Sequence, residues 1–326
     1  MATYADAVRV ELRSQHLRPA TSVFFGGGTP SLLPAEELAG ILATIVRVPG
    51  AEVTVECNPD TVSASLLRVY HDAGVTRISL GAQSMVPHVL AALGRSHDPA
   101  NVRAAVASAA VAGIERVNVD LIFGAVGESD DDWQASLDEI VALGVSHVSA
   151  YALTVEPGTP LALDPARRPD DDIQANRYAT TEAALSAAGL RNYEISNWAR
   201  PGLECRHNLL YWTLGEYVGV GCAAHSHRAG RRWWNVRTPE RYIELVMRGE
   251  SPIGGCEQLD DGERAVEAIQ LGLRTPAGVD LDALGPPARA EATALTERGL
   301  LVERDGRVAL TVSGRLLANE VAVRLT

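Results

Sequence analysis

Cysteine is scarce in this chain of 326 residues. Cys57, Cys205, Cys222 and Cys256 stand too far apart in sequence for a disulfide framework or a zinc knuckle, both of which use paired short spacings. Reduced thiols are expected. Basic side chains are in deficit too: 29 Lys plus Arg against 41 Asp plus Glu gives a net charge of −12. No broad cationic surface is therefore available to neutralise a phosphate backbone, and nucleic acid is not an expected partner. Long apolar runs are also missing. None approaches the roughly 18 residues of a membrane-spanning helix, and Met1 to Arg13 lack the basic start and apolar stretch of a secretory signal. The chain reads as soluble and cytoplasmic.

What is present is a repeating alternation. Apolar runs ending in turn or polar residues recur through the first two hundred residues, with amphipathic segments rich in Ala, Leu and Val between them, which implies a parallel sheet built from strand and helix units. Strands are predicted at about Thr21 to Gly26, Glu52 to Cys57, Arg77 to Leu80, Arg116 to Ile122, His147 to Ala152 and Asn192 to Ile195. Helix starts are signalled by Pro34 with Glu36 and Glu37, by Asp98 with Pro99, and by Ser129 before Asp130, Asp131 and Asp132. Those three aspartates read as first-turn charges rather than metal ligands. Gly74, Gly113, Gly144 and Gly189 mark left-handed helix ends, each followed by the next strand.

Residues Tyr4 to Leu17 read as a helix with Ala5, Val8 and Leu12 on one face, and no strand precedes it. The expected fold class is α/β: a partial (β/α) TIM-like barrel over residues 1–212, missing its first strand. A connecting segment, 213–255, follows and contains a loop-like "GVGCAAHSH" and a helix from near Pro239. Residues 256–326 read as a small winged-helix-like α+β domain, with helices from Glu263, Ala288 and Val312 and a hairpin turn at Asp305 and Gly306.

In such a barrel, chemistry gathers at the carboxyl ends of the strands. Gly26, Gly27, Gly28 and Thr29, then Glu56, Gln83, Asp120, Tyr151, Ala152 and Glu194 occupy those positions. Three glycines in a row leave bare backbone against which a ligand can lie. The "FFGGGTP" stretch fits neither a phosphate loop, lacking a following Lys, nor a dinucleotide fingerprint. A ligand with a polar or zwitterionic end beside Glu56 fits better. His16, His71, His88, His97 and His147 are isolated and read as structural or surface groups. "ECRHNLLYW" and "GCAAHSH" differ, because they bring Cys205, His207, Cys222, His225 and His227 close in sequence, with Tyr211 and Trp212 between. Such groups can hold a metal or a planar iron macrocycle. Loop packing would explain them equally well.

In chain order, "FFGGGTPSLL", "VECNPD", "RISLGAQS", "LGRSHD", "NVDLIFG", "YALTVEPGTPL", "YEISNWARPGLECRHNLLYW" and "GVGCAAHSH" resemble the HemW family of heme chaperones. These belong to the radical S-adenosylmethionine superfamily and are relatives of the oxygen-independent coproporphyrinogen III oxidase, HemN. The resemblance runs over nearly the whole chain. It implies S-adenosylmethionine contacts at Gly27, Gly28, Thr29, Glu56, Gln83, Arg95, Asp120 and Ala152. It implies heme handling by His207 with Tyr211 and Trp212, His225 being a weaker second. Heme and recipient haemoproteins are the implied partners, and a homodimer is allowed.

One departure is large. Family members begin with a strand and a CxxxCxxC loop whose thiolates hold a [4Fe-4S] cluster, and neither is present in this sequence. The chain is therefore expected to be an amino-terminally shortened form with no metal site of its own, binding no family-type cluster and forming no radical. Oxidative decarboxylation of coproporphyrinogen III is the alternative activity, and a degenerate scaffold that binds neither ligand is a third.

Overall fold

The structure is a computed structural model and describes residues 2–164 and 167–326. It contains two compact units, one made of Met1–Val23, Leu33–Glu52 and Cys205–Thr326, the other of Phe24–Leu32 and Val53–Glu204.

Every strand read from the sequence is present. Strands β1 (Ala20–Phe25), β2 (Arg47–Cys57), β3 (Arg77–Gln83), β4 (Arg116–Phe123), β5 (His147–Ala152), β6 (Arg191–Glu194) and β7 (Asn197–Ala199) form one curled sheet, in the order β1-β2-β3-β4-β5-β7-β6. β2 to β5 are parallel. The far edge departs from the expected all-parallel array: β7 turns back on β6 and pairs antiparallel with both β5 and β6. Ile195 and Ser196 make that turn without the glycine that usually signals a tight hairpin in sequence.

The helix signals act locally as expected. Asp98 accepts from the Ala100 amide at 2.8 Å and opens the helix Pro99–Ala112. Ser129 and Asp132 form a reciprocal capping box that opens Asp130–Ala142, which places the three aspartates in its first turn. Gly74 and Gly113, at φ +97° and +86°, end their helices in the left-handed region that favours glycine and turn the chain into the next strand. Ile78, Leu80, Val119, Leu121, Phe123 and Val148 bury the outer face of the sheet, each contributing about 1.5–3 kcal/mol. Trp133 packs on Phe123 with ring centroids 5.2 Å apart.

The other unit holds the helix Ala2–Ser14, which buries Ala5, Ala7, Val8 and Glu11. The inward stripe expected at Ala5, Val8 and Leu12 is thus shared with a carboxylate. Glu11 accepts from the Gly221 amide at 2.9 Å, the Asn235 side chain at 2.8 Å and the Tyr242 hydroxyl at 2.5 Å, so both oxygens of the buried carboxyl have hydrogen-bond partners. Strands β8 (His225–Arg228), β9 (Arg231–Asn235) and β10 (Ile253–Gln258) form an antiparallel sheet. The end of "GVGCAAHSH", read from sequence as a loop, is therefore strand. Its hairpin turn at Ala229 and Gly230, with φ +50° and +77°, joins two polar strands that carry no apolar alternation.

Strands β11 (Val279–Asp280), β12 (Leu301–Arg304) and β13 (Arg307–Leu310) make a third sheet, accompanied by the helices Asp261–Gly272, Pro286–Glu297, Val312–Leu316 and Ala318–Leu325. Asp305 and Gly306 close the β12–β13 hairpin at φ +51° and +73°. Among the described residues, no helix is long and apolar enough to cross a membrane.

Candidate functional site

Strand periodicity decides which side chains meet on the inner face of the half-barrel. The pairing puts Glu56, Ser79, Asn118 and His147 in one row across β2, β3, β4 and β5. Gly81, Asp120 and Ser149 form the next row on β3, β4 and β5. Asn118 donates to Ser79 Oγ and Asp120 Oδ1, both at 2.7 Å, and its Oδ1 accepts from Ser149 Oγ at 3.2 Å. Ser79 Oγ donates to Asp120 Oδ2 at 2.9 Å. Behind them His147 is buried between Asn118 Oδ1 at 2.5 Å and the Tyr193 hydroxyl at 2.8 Å. Burial first, and the charge of Arg77 second, hold its pKa well below that of a free histidine.

The two candidate carboxyls share one electrostatic environment. Burial raises the pKa of Glu56, and the nearby negative Asp120 adds to that rise, while a hydrogen bond from the Gly27 amide at 3.2 Å opposes it. Asp120 is also raised by burial, against the hydrogen bonds of Ser149, Ser79 and Asn118 and the charge of Arg77. A positively charged group entering here would relieve both carboxyls.

The glycine loop supplies the bare wall. A Cβ on Gly27 or Gly28 would meet nothing within 4 Å, whereas one on Gly26 would strike the Phe24 ring. Gln83, at φ +62°, sits at a bulge on β3. Its amide nitrogen would lie 2.9 Å from a Cβ on Gly81, so the absence of a Gly81 side chain makes room for it. Ala152 is exposed at the end of β5, opposite Phe123. Thr29 lies in the loop after β1, its carbonyl accepting from the Leu32 amide at 3.0 Å. Arg95 is not drawn in: it is exposed and pairs with none of the described carboxylates. The sequence reading singled out Glu56 and Asp120 but missed Ser79, Asn118 and Ser149. The alternation of polar and apolar residues in "RISLG", "RVNVDL" and "HVSAY" is the signal that could have found them.

The heme candidates lie in the other unit. The helix Arg206–Trp212 starts at Cys205, which offers no side-chain cap. Glu52, nearly fully buried on β2, caps it instead, accepting from the His207 amide at 3.1 Å, the Arg206 amide at 3.3 Å and Cys205 Sγ at 3.5 Å. His207 and Tyr211 are one helical turn apart and share a face. His207 Nδ1 meets Ser22 Oγ at 2.9 Å and its Nε2 meets the Tyr211 hydroxyl at 3.0 Å. Burial lowers the His207 pKa and the charge of Glu52 opposes that, leaving a neutral imidazole at pH 7. Tyr211 is exposed and packs edge-on against Tyr217, with centroids 4.8 Å apart. Trp212 is half-buried, its Nε1 enclosed without a hydrogen-bond partner among the described residues. His225 stacks on Trp234 at 5.8 Å, a contact separate from the His207 and Tyr211 pair. Ser22 and Glu52 were not legible as members of this site, because they reach it from distant parts of the chain.

The sequence profile of the Radical SAM superfamily matches residues 5–140. The heme chaperone HemW of Mycobacterium tuberculosis (strain ATCC 25618 / H37Rv) is 46% identical over 308 residues, spanning 92% of this chain and 79% of that protein. The heme chaperone HemW of Bacillus subtilis (strain 168) is 34% identical over 320 residues, spanning 92% of this chain and 84% of that protein. The chain belongs to the HemW family. Its fold is that of the Escherichia coli coproporphyrinogen III oxidase HemN, a radical SAM enzyme, with a TM-score of 0.85 at 18% identity over 99% of this chain and 82% of that one.

Membership of a radical SAM family implies S-adenosylmethionine and a [4Fe-4S] cluster. The open backbone at Gly27 and Gly28 and the carboxyls of Glu56 and Asp120 fit the ammonium group of the former. The cluster fits nothing in hand: among the described residues no group of three His, Cys, Asp or Glu side chains could hold a metal. Cys57 is buried, and burial pushes its thiol up to about 12, the reverse of what a thiolate ligand needs. Cys205 is bonded to Glu52, and Cys222 accepts from the Tyr4 hydroxyl at 3.5 Å.

Proposed function

We propose that this HemW-family chain binds heme at the His207 and Tyr211 pair and passes it to recipient haemoproteins, while the inner face of the half-barrel binds S-adenosylmethionine. The observation that carries the heme reading is a neutral, half-buried imidazole bonded to a solvent-facing phenol on one helical turn. Both are iron-ligating groups, held within reach of each other at the surface of the helix. The S-adenosylmethionine reading rests on Glu56 and Asp120, two carboxyls whose raised pKa values favour a cationic amino group beside the open backbone of Gly27 and Gly28. The acidic chain and its separated thiols suit a cytoplasmic setting.

Titration of the purified chain with ferric heme is expected to give a Soret shift, and the double variant His207→Ala, Tyr211→Ala is expected to lose it. A double variant that binds heme as the parent does would overturn the assignment. Anaerobic product formation from coproporphyrinogen III would instead favour the oxidase reading.

A further inference from the structure

The heme reading leaves open which atom of the pair meets the iron, and geometry distinguishes the two. His207 Nδ1 is held by Ser22 at 2.9 Å and Nε2 by the Tyr211 hydroxyl at 3.0 Å, so both ring nitrogens are already engaged. The imidazole is half-buried at the foot of the pair, whereas Tyr211 is 41% exposed. A planar ligand arriving from solvent therefore reaches the phenol oxygen first. The rings of His207 and Tyr211 stand perpendicular, 5.3 Å apart at an interplanar angle of 90°, so the imidazole edge rather than its face meets the hydroxyl.

Resting on the heme assignment above, we infer that the Tyr211 oxygen is the iron ligand and that His207, oriented by Ser22 and by the Glu52 cap on its helix, is the positioning residue that hydrogen-bonds to it. The Tyr211 O–H bond breaks, its proton leaves to solvent, and the oxygen lone pair forms the bond to ferric iron without any change of oxidation state. Neutral His207, with its proton on Nε2, donates to the bound oxygen, while its Nδ1 accepts from the Ser22 hydroxyl. The single negative charge of the phenolate offsets the net positive charge of ferric heme. Tyrosine ligation of heme iron is established chemistry, and a hydrogen bond from a partner side chain orients such a ligand as it does other metal ligands.

The single variants separate this arrangement from ligation by His207. With ferric heme as the probe, Tyr211→Phe is expected to weaken binding by at least about tenfold and to abolish the high-spin, phenolate charge-transfer spectrum. His207→Ala is expected to keep a phenolate-type spectrum with affinity lowered by about tenfold, and Ser22→Ala to lower it by a smaller factor with the same spectrum. If Tyr211→Phe binds as tightly as the parent or tighter, and His207→Ala removes the spectrum, the iron sits on the imidazole and the inference falls while the heme assignment stands. If neither single variant nor the double variant alters binding, the heme assignment itself fails. Circular dichroism of each variant checks that the fold is retained.

Discussion

His147 is enclosed between Asn118 and Tyr193 and stays neutral because water cannot reach it to solvate a charge. Its folded pKa lies below the value of about 6.5 that it regains on unfolding. Below that value the unfolded chain takes up a proton that the folded chain refuses, so this residue's contribution to stability falls as the pH falls. Between about pH 7.5 and about pH 5.5 the loss attributable to His147 is expected to be about 1 kcal/mol. Urea unfolding at the two pH values measures it, and His147→Gln should show a correspondingly flatter dependence. Reading this histidine as structural followed from its isolation in sequence. The polar row in front of it was harder to see, since Ser79, Asn118 and Ser149 are ordinary residues until strand pairing brings them onto Asp120.

Among the elements, the helix Arg206–Trp212 shows how a short segment depends on a distant partner. Seven residues are too few to be stable alone in water. Cys205 offers no side-chain cap, and buried Glu52 takes that role from β2. A carboxylate at this position also favours the positive end of the helix dipole. Glu52→Ala is expected to cost about 1–2 kcal/mol. The loss should concentrate here, so amide exchange at residues 206–212 should accelerate more than in the helix Pro99–Ala112, and equal acceleration in both would count against the cap. Helix starts with their own signals, such as Asp98 and Ser129, were legible because each cap lies within three residues of its amide. The hairpins were legible only where turn chemistry is explicit. Asp305 and Gly306 announced β12 and β13, whereas Ile195 and Ser196 gave no warning that β7 doubles back.

For the molecule as a whole, ligand binding and stability are linked, because a ligand held only by the folded chain stabilises it in proportion to its excess over the dissociation constant. At a hundredfold excess, S-adenosylmethionine is expected to add about 2.7 kcal/mol, read as a rise in melting temperature. Glu56→Gln should remove most of that rise while leaving the ligand-free chain at least as stable, because burying the Glu56 carboxylate is itself unfavourable. A ligand-induced shift that survives the substitution would move the S-adenosylmethionine site elsewhere.

By itself the sequence determined the alternation of strands and helices, the helix ends and the identity of the strand-end residues, since these depend on neighbours a few positions apart. It also carried the family, in motifs spread along the chain. Only the tertiary structure decided that Glu11 and Glu52 are interior carboxylates, that Ser22 reaches His207, and that Arg95 stays in solvent. Those outcomes rest on pairings across tens to hundreds of residues, where burial and hydrogen bonding override the preference a side chain shows in its local segment.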